Sequence, residues 1–344
     1  MSGQPDATPA IAGPAWIDAW FAAFVPTSAP LELGAGTQLW LRRDRGRVLG
    51  LPLRLLRSPT NEHTPRYDWP GNLSPDTLAG WLAASRRSYA WHLLELELLA
   101  KDSNAVDVLT RLPKPWGRLA LLARWETPVI DLTRGADAYF AALPQKLRAN
   151  TNRAENGLGK AGELRVRDLA QGDDWQTSLD ACLALENAGW KGEAGGAIAQ
   201  HDRTHAFYTA VLRHFHAAGA LRLYGLTLDG ELLAFNLLLR DGPTWYGFKT
   251  GYAEAWAKQS PGNVLFRHVL KALFADGDAQ ALDMLDPVTD WKRRWASRIE
   301  PRLRLRLYAP GWRGGLAYHG ERVARRLHGL PAARYVVRLL RRSA

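Results

Sequence analysis

Cysteine is nearly missing from this chain: Cys182 is the single one in 344 residues. An intramolecular disulfide and a cysteine-built zinc site are thereby excluded, and a reducing, cytoplasmic setting is expected. No hydrophobic run approaches the roughly 18 uncharged residues that a spanning helix needs. The apolar stretch at 16–25 is broken by Asp18 and ended by Pro26. Residues 1–10 offer no basic n-region, so neither a signal peptide nor an integral membrane position is expected. His201, His205, His214 and His216 cluster, but no acidic residue completes a zinc pattern such as H-E-x-x-H. No serine sits in a G-x-S-x-G elbow. Neither a metal site nor Ser–His–Asp chemistry is expected.

What is present is an ordinary globular composition, 47% hydrophobic and 23% charged. At roughly 150 residues per domain the length suggests two domains. The net charge of +11, taken whole, invites a nucleic-acid or membrane partner. Its distribution narrows that: residues 291–310 carry +6 and 311–344 carry +7, which leaves residues 1–290 at −2. Residues 311–344 mix eight arginines with Leu316, Tyr318, Val323, Leu327 and further apolar residues. Two helices broken near Pro331 fit this pattern. Such a cationic amphipathic tail can pack on the body, or meet the inner membrane face or a membrane-bound synthase peripherally.

The chain falls into a polar lead-in at 1–14, a first unit at 15–126, a second at 127–310, and the basic tail at 311–344. In the first unit, leucines at period two predict a hairpin: strands at 38–42 and 47–56 around the turn Asp44-Arg45-Gly46. Helices are expected at 15–24, 75–89 and 104–112, with strands at 91–99 and 118–125. In the second unit, strands are expected at 127–132 and 163–169, and helical pieces at 135–156 divided by Pro144. Helices follow at 174–188 and 205–218, the latter stopped by Gly219. Asp229-Gly230 between alternating hydrophobics predicts a second hairpin, 220–228 with 231–240. Strands at 244–249, 281–285 and 302–308 and a helix at 261–275 complete the unit. Residues Leu41–Gly50 can be laid beside Leu226–Ala234 with one gap, which suggests two similar units. The fold class expected is α/β (α+β), with mixed, mostly antiparallel sheets flanked by helices.

One stretch is chemically pointed. A strand ending near Phe248, Lys249 and Thr250 leads through Lys258-Gln259-Ser260-Pro261-Gly262-Asn263 into a helix with proline at its first turn. The first N–H groups of a helix have no internal partner and carry partial positive charge, so this end suits a phosphate group. A plain capping turn with Ser260 as cap is the alternative.

The same residues resemble a known family. Gln259-Ser260-Pro261-Gly262-Asn263-Val264 is similar to the Q/R-x-x-G-x-G/A pyrophosphate loop of GNAT acyltransferases, with Val264 in place of the final small residue. Phe248–Tyr252, Leu282–Asp286, Asp290–Trp295, Lys146–Arg153 and Glu186–Gly192 together look like CelD-type acetyltransferases, GNAT proteins related to the tandem Fem-type transferases. The resemblance is strongest over 130–297. It implies transfer of an acetyl or other acyl group from CoA to an amine, with no metal. Phe248, Lys249, Thr250 and Lys258 through Asn263 would hold the acyl-CoA. A backbone N–H near Phe248–Thr250 would polarise the thioester carbonyl.

Within that frame Glu186, Asp286 and Asp290 are candidate bases, and Tyr252 a candidate acid. Each has a structural alternative: a helix-surface carboxylate, a turn residue, a helix cap and a core tyrosine. Trp190 and Lys191, in a Gly-rich loop, suit an acceptor pocket, with a core tryptophan as the alternative. Arg148 and Arg153, with Lys146, form a basic helix face that could meet an acidic acceptor but is more often simply solvated. Lys292 could meet a phosphate or carboxylate, or be a solvated lysine. The acceptor expected is a small molecule or an envelope precursor. A Fem-like transferase using aminoacyl-tRNA is the first alternative, and it alone would bring in a nucleic acid. A non-catalytic GNAT-like module docking to a membrane-bound synthase is the second.

Overall fold

The computed structural model describes residues 11–71, 73–172, 174–188, 201–285 and 287–328. Trp190, Lys191, Asp286, the lead-in as far as residue 10 and the tail beyond 328 lie outside them. The described chain divides into two compact units. One takes Ser28–Arg124 and 303–328, the other 11–27 and Trp125–Arg302.

The first unit is built on β2 (Trp40–Val48), β3 (Leu51–Arg57), α2 (Pro75–Tyr89) and β4 (Leu93–Leu99), with the two-residue β1 (Leu31–Glu32) paired to β2. β2 and β3 are antiparallel, while β3 and β4 are parallel, so α2 is the crossover between them. α3 (Asn104–Thr110), the start of β5 (Leu119–Asp131), the end of β11 (Arg298–Tyr308) and α10 (Trp312–His328) complete it. The hairpin turn lies at Leu49-Gly50, where both residues have positive φ (48° and 81°), and not at Asp44-Arg45-Gly46. Asp44 instead sits mid-strand, its carboxylate 2.8 Å from Arg57 across the ladder and 3.2 Å from Arg42. Cross-strand ion pairing has overridden a local turn signal. Residues 119–131, expected as two strands, form one. Its exposed first half and buried second half change the hydrophobic pattern without turning the backbone.

The second unit carries α1 (Pro14–Phe24), the end of β5, α4 (Ala136–Ala142), α5 (Gln145–Ala161), β6 (Leu164–Asp168), α6 (Trp175–Ala188) and α7 (Asp202–Ala217). β7 (Leu221–Leu228), β8 (Glu231–Asp241), β9 (Thr244–Tyr252), α8 (Pro261–Asp276), β10 (Ala281–Asp283) and α9 (Asp290–Trp295) follow, with the start of β11. β6 through β9 are antiparallel neighbours, β9 and β10 are parallel, and β10 returns antiparallel to β5. The expected mixed α/β class is the one observed. Asp229-Gly230 makes the turn it predicts (φ 48° and 89°), Gly219 stops α7 at φ 67°, and Pro144 separates α4 from α5. Val264, Leu265, Phe266, Val269, Leu270 and Leu273 bury one face of α8 in a core shared with Leu226, Ala234, Leu238 and Trp245.

Topology revises the internal comparison. Each unit contains a hairpin, a crossover helix and a parallel strand: β2–β3–α2–β4 in the first and β8–β9–α8–β10 in the second. The counterpart of the β2–β3 hairpin is therefore β8–β9, not the Asp229-Gly230 hairpin beside which it can be aligned.

The charge distribution also gains a structural reason. In the first unit Arg304 pairs with Glu97, and Arg306 with Glu95 at 2.6 Å and with Glu321. In the second, Arg302 pairs with Asp283, and Arg298 with Glu300 at 2.7 Å. Arg302, Arg304 and Arg306 are thus matched by acids from outside 291–310, while the Arg298–Glu300 pair lies within it.

Candidate acyl-transfer site

Both crossover helices begin with Ser-Pro, yet their ends differ. Ser74 caps α2 conventionally: it is extended, and its hydroxyl accepts from the Thr77 N–H at 3.1 Å. Ser260 is left-handed (φ 51°) and makes no side-chain cap to α8. Pro261, buried at the first position, brings no N–H, while the Asn263 N–H bonds back to the Ser260 carbonyl at 3.0 Å. The first turn of α8 is therefore presented without the hydroxyl that would occupy it.

That turn opens on a cavity of about 350 Å³ lined by Pro144, Lys146, Leu147, Asn150 and Thr151 of α5 and its approach, by Ser260 and Asn263, and by Arg294 of α9. A polar helix end, two cations and an amide thus converge from three elements. Positive potential from Lys146 and Arg294 adds to that of the helix terminus, an arrangement suited to a diphosphate.

Asn263 has a second task. Its Oδ1 accepts from the Trp291 indole N–H at 2.6 Å and from that of Trp295 at 3.2 Å. The Tyr139 hydroxyl donates to the Trp295 carbonyl at 2.5 Å. The Lys292 ammonium donates to the Leu285 carbonyl at 2.8 Å, and Thr289, not Asp290, caps α9. Lys292 thus ties α9 to the loop leaving β10. On the other flank Glu155 of α5 binds Arg267 and, at 2.6 Å, His268 of α8. Burial, with Lys271 and Arg267 nearby, holds the His268 pKa below the ordinary histidine value.

β9 carries other residues expected from sequence to hold the acyl-CoA, and none of those lines the cavity. Pairing passes from Leu238–Gly247 to Leu237–Lys249, so Phe248 is an extra residue, a β-bulge. The parallel register with β10 runs from Thr244 to Tyr246, just before it. The corresponding β2–β3 ladder is regular. Phe248 is buried against Trp16 and Tyr208 (ring centroids 5.9 and 5.2 Å), and the Lys249 ammonium lies 5.1 Å from the same Tyr208 ring. Consecutive side chains on one side of a strand are what a bulge produces. The Thr250 hydroxyl donates to the Phe235 carbonyl at 3.0 Å. Tyr252 ends the strand beside the helix terminus: a Cβ built on Gly262 would stand 3.9 Å from its ring. Burial, with Glu254 adding to it, raises the Tyr252 pKa above the ordinary phenol value.

The remaining candidates are dispersed. Lys258 and Gln259 are exposed in the 3-10 turn Glu254–Gln259. Arg148 and Arg153 are exposed on α5, Arg153 3.2 Å from Asn150, and neither lines the cavity. Asp290 is exposed at the start of α9. Glu186, at 3% exposure, is buried on α6, which packs across β8 and β9, so a surface carboxylate is not what it is. Val264 is fully buried in the core and does not line the cavity. Of the eight lining residues only Ser260 and Asn263 were singled out as site residues from sequence; Pro144, Lys146, Leu147, Asn150, Thr151 and Arg294 were not. Arg294 lies in a motif that carries the family resemblance, but spacing alone does not show where it points. Among the described residues no group of three or more His, Cys, Asp or Glu could hold a metal.

Residues 145–293 match the family model described as an acetyltransferase (GNAT) domain. The second unit thus carries a GNAT-type acyltransferase domain. Solved structures share the fold at low identity. FemX is 12% identical with a TM-score of 0.54, covering 85% of this chain and 90% of its own. The C-terminal domain of a putative lysylphosphatidylglycerol synthetase from Agrobacterium fabrum is 13% identical with a TM-score of 0.51, covering 86% and 92%. A conserved protein of unknown function from Bacteroides thetaiotaomicron is 10% identical with a TM-score of 0.52, covering 89% and 93%. No curated protein matches the chain.

Proposed function

We propose that the second unit transfers an acyl group from an acyl-CoA to an amine. The observation that carries the reading is the uncapped end of α8 opening on the cavity of Lys146, Asn150 and Arg294. The CoA pyrophosphate would lie there, and the acyl arm would run along β9 toward the bulge at Phe248. A bulge turns a backbone N–H out of the regular ladder, where it can donate to the thioester oxygen as negative charge develops. The amine nitrogen bonds to the carbonyl carbon, the C–S bond breaks, and the amine's extra proton passes to a base. Tyr252, held protonated by its raised pKa, donates its proton to the leaving thiolate. Glu186 and Asp290 are the described carboxylates for the base. The pair Glu186→Gln and Asp290→Asn separates them, since loss of kcat in one variant alone identifies it. The CelD-like motifs favour an envelope precursor or a small metabolite as acceptor.

Calorimetry of the full chain with acetyl-CoA and a series of longer acyl-CoAs tests the donor. Binding of at least one is expected, and binding of none would remove the proposal. A Fem-like use of aminoacyl-tRNA is the second reading, favoured by the fold shared with FemX. It requires RNA affinity that falls steeply with salt. The burial of Val264 supports CoA, because the residue that departs from the loop pattern is not part of the cavity lining.

A further inference from the structure

Helix α10 is held on the first unit by one side only. Glu321 accepts from Arg306 and from the Tyr308 hydroxyl, the Tyr318 ring meets Tyr308 at 5.4 Å, and Ala317 is buried. The opposite side is apolar and bare: Trp312 is 69% exposed, Leu316 57%, Val323 56% and Leu327 50%. At 100° per residue these four fall within about 60° of arc, in a stripe about 22 Å long. Exposed His319 lies about 20° outside this arc, Arg326 and Arg322 follow on the same side, and Arg313 lies on the other.

A second observation extends the patch. Leu49, at the tip of the β2–β3 turn, is 65% exposed and left-handed, in a position where Asn or Gly would be unstrained. A Cβ built on Gly320 of α10 would stand 3.1 Å from its side chain. A leucine that is both strained and exposed beside an exposed apolar stripe is unexplained by folding.

We propose that α10 and the β2–β3 turn seat this unit on an anionic phospholipid surface, with the apolar stripe entering the headgroup boundary and the flanking arginines meeting lipid phosphates. Charge decides among occupants. Residues 329–344 carry four arginines and no acid, so folding them over the stripe would set like charges together. A second copy of the stripe would do the same. An anionic bilayer complements every flank.

The test uses the full chain with Val323→Cys labelled by an environment-sensitive fluorophore. Cys182 does not compete, because it is buried and its thiol pKa is pushed up to about 12. The label should shift to the blue on mixed phosphatidylglycerol–phosphatidylcholine vesicles and not on phosphatidylcholine alone. Apparent affinity should weaken roughly tenfold or more between low and high salt. In vesicle flotation the combined Trp312→Ser, Leu316→Ser, Val323→Ser and Leu327→Ser variant should bind at least about tenfold more weakly. Leu49→Asn relieves the turn, so it should keep or raise stability while weakening binding. Four outcomes would overturn the proposal: no shift, equal binding to neutral vesicles, a label already buried without lipid, or wild-type binding by both variants.

Discussion

Asn263 separates the structural role of the α8 terminus from its proposed ligand role. Its Oδ1 accepts from two indoles, at 2.6 and 3.2 Å, and its side chain also lines the cavity. Asn263→Asp keeps the acceptor and puts a negative charge in the first helical turn. Such a charge is favourable to the helix by about 0.3–1 kcal/mol, so stability should change by no more than about 1 kcal/mol. A phosphate in the cavity would meet the new carboxylate at about 5–6 Å. With an effective dielectric of about 20–40 that repulsion is about 1.5–3 kcal/mol, roughly a 10- to 150-fold loss of acetyl-CoA affinity. Asn263→Ala does the converse. It leaves two indole N–H groups without their acceptor, that of Trp295 deeply buried, at about 2–4 kcal/mol of stability. Urea unfolding and calorimetry with acetyl-CoA read the two quantities. Undiminished affinity in a folded Asn263→Asp variant would refute a phosphate at this cavity.

Neutralising the two lining cations together, Lys146→Gln with Arg294→Gln, should cost about 1 kcal/mol each, since both are exposed, and roughly 20- to 30-fold in acetyl-CoA affinity. The salt dependence of binding should flatten with it, measured by titration at several ionic strengths. Tyr252→Phe should lower kcat by roughly 10²–10⁴ with little change in KM. Because the Tyr252 pKa is raised, the protonated donor persists past the ordinary phenol value, and the alkaline fall in wild-type kcat should begin above about pH 10. A fall starting near neutrality would contradict that role. Asp283, 1% exposed, is held by Arg302, by the Thr127 hydroxyl and by the Leu285 N–H at 2.8 Å. Arg302→Met leaves that carboxylate without its countercharge, at about 3–5 kcal/mol in thermal or urea unfolding. A loss under about 1 kcal/mol would show the pair to be dispensable.

Local chemistry was legible where one residue type settles the backbone. Asp229-Gly230, Gly219 and the proline at the start of α8 each specify a turn, a stop or a start by themselves. What escaped depends on partners far along the chain. The bulge at Phe248 exists only in the pairing of β9 with β8. The cavity joins Lys146 and Asn150 to Asn263 and Arg294, more than 100 residues away. The turn at Leu49-Gly50 was hidden because Asp44, a turn former by propensity, is drawn into the strand by Arg57. The count of arginines at 291–310 says nothing of the acids that meet them on the sheet.

The contribution of the pyrophosphate itself tests the central claim most directly. The full chain should be titrated with acetyl-CoA and with S-acetylpantetheine, which keeps the thioester arm and lacks the pyrophosphate and the 3′-phosphoadenosine, in the wild type and in Asn263→Asp, the variant isolating the pyrophosphate's share. Acetyl-CoA should bind the wild type far more tightly than the fragment, and the substitution should weaken acetyl-CoA while leaving the fragment unchanged. Equal binding of the two ligands, or equal loss of both in the variant, would contradict a pyrophosphate seat at the start of α8.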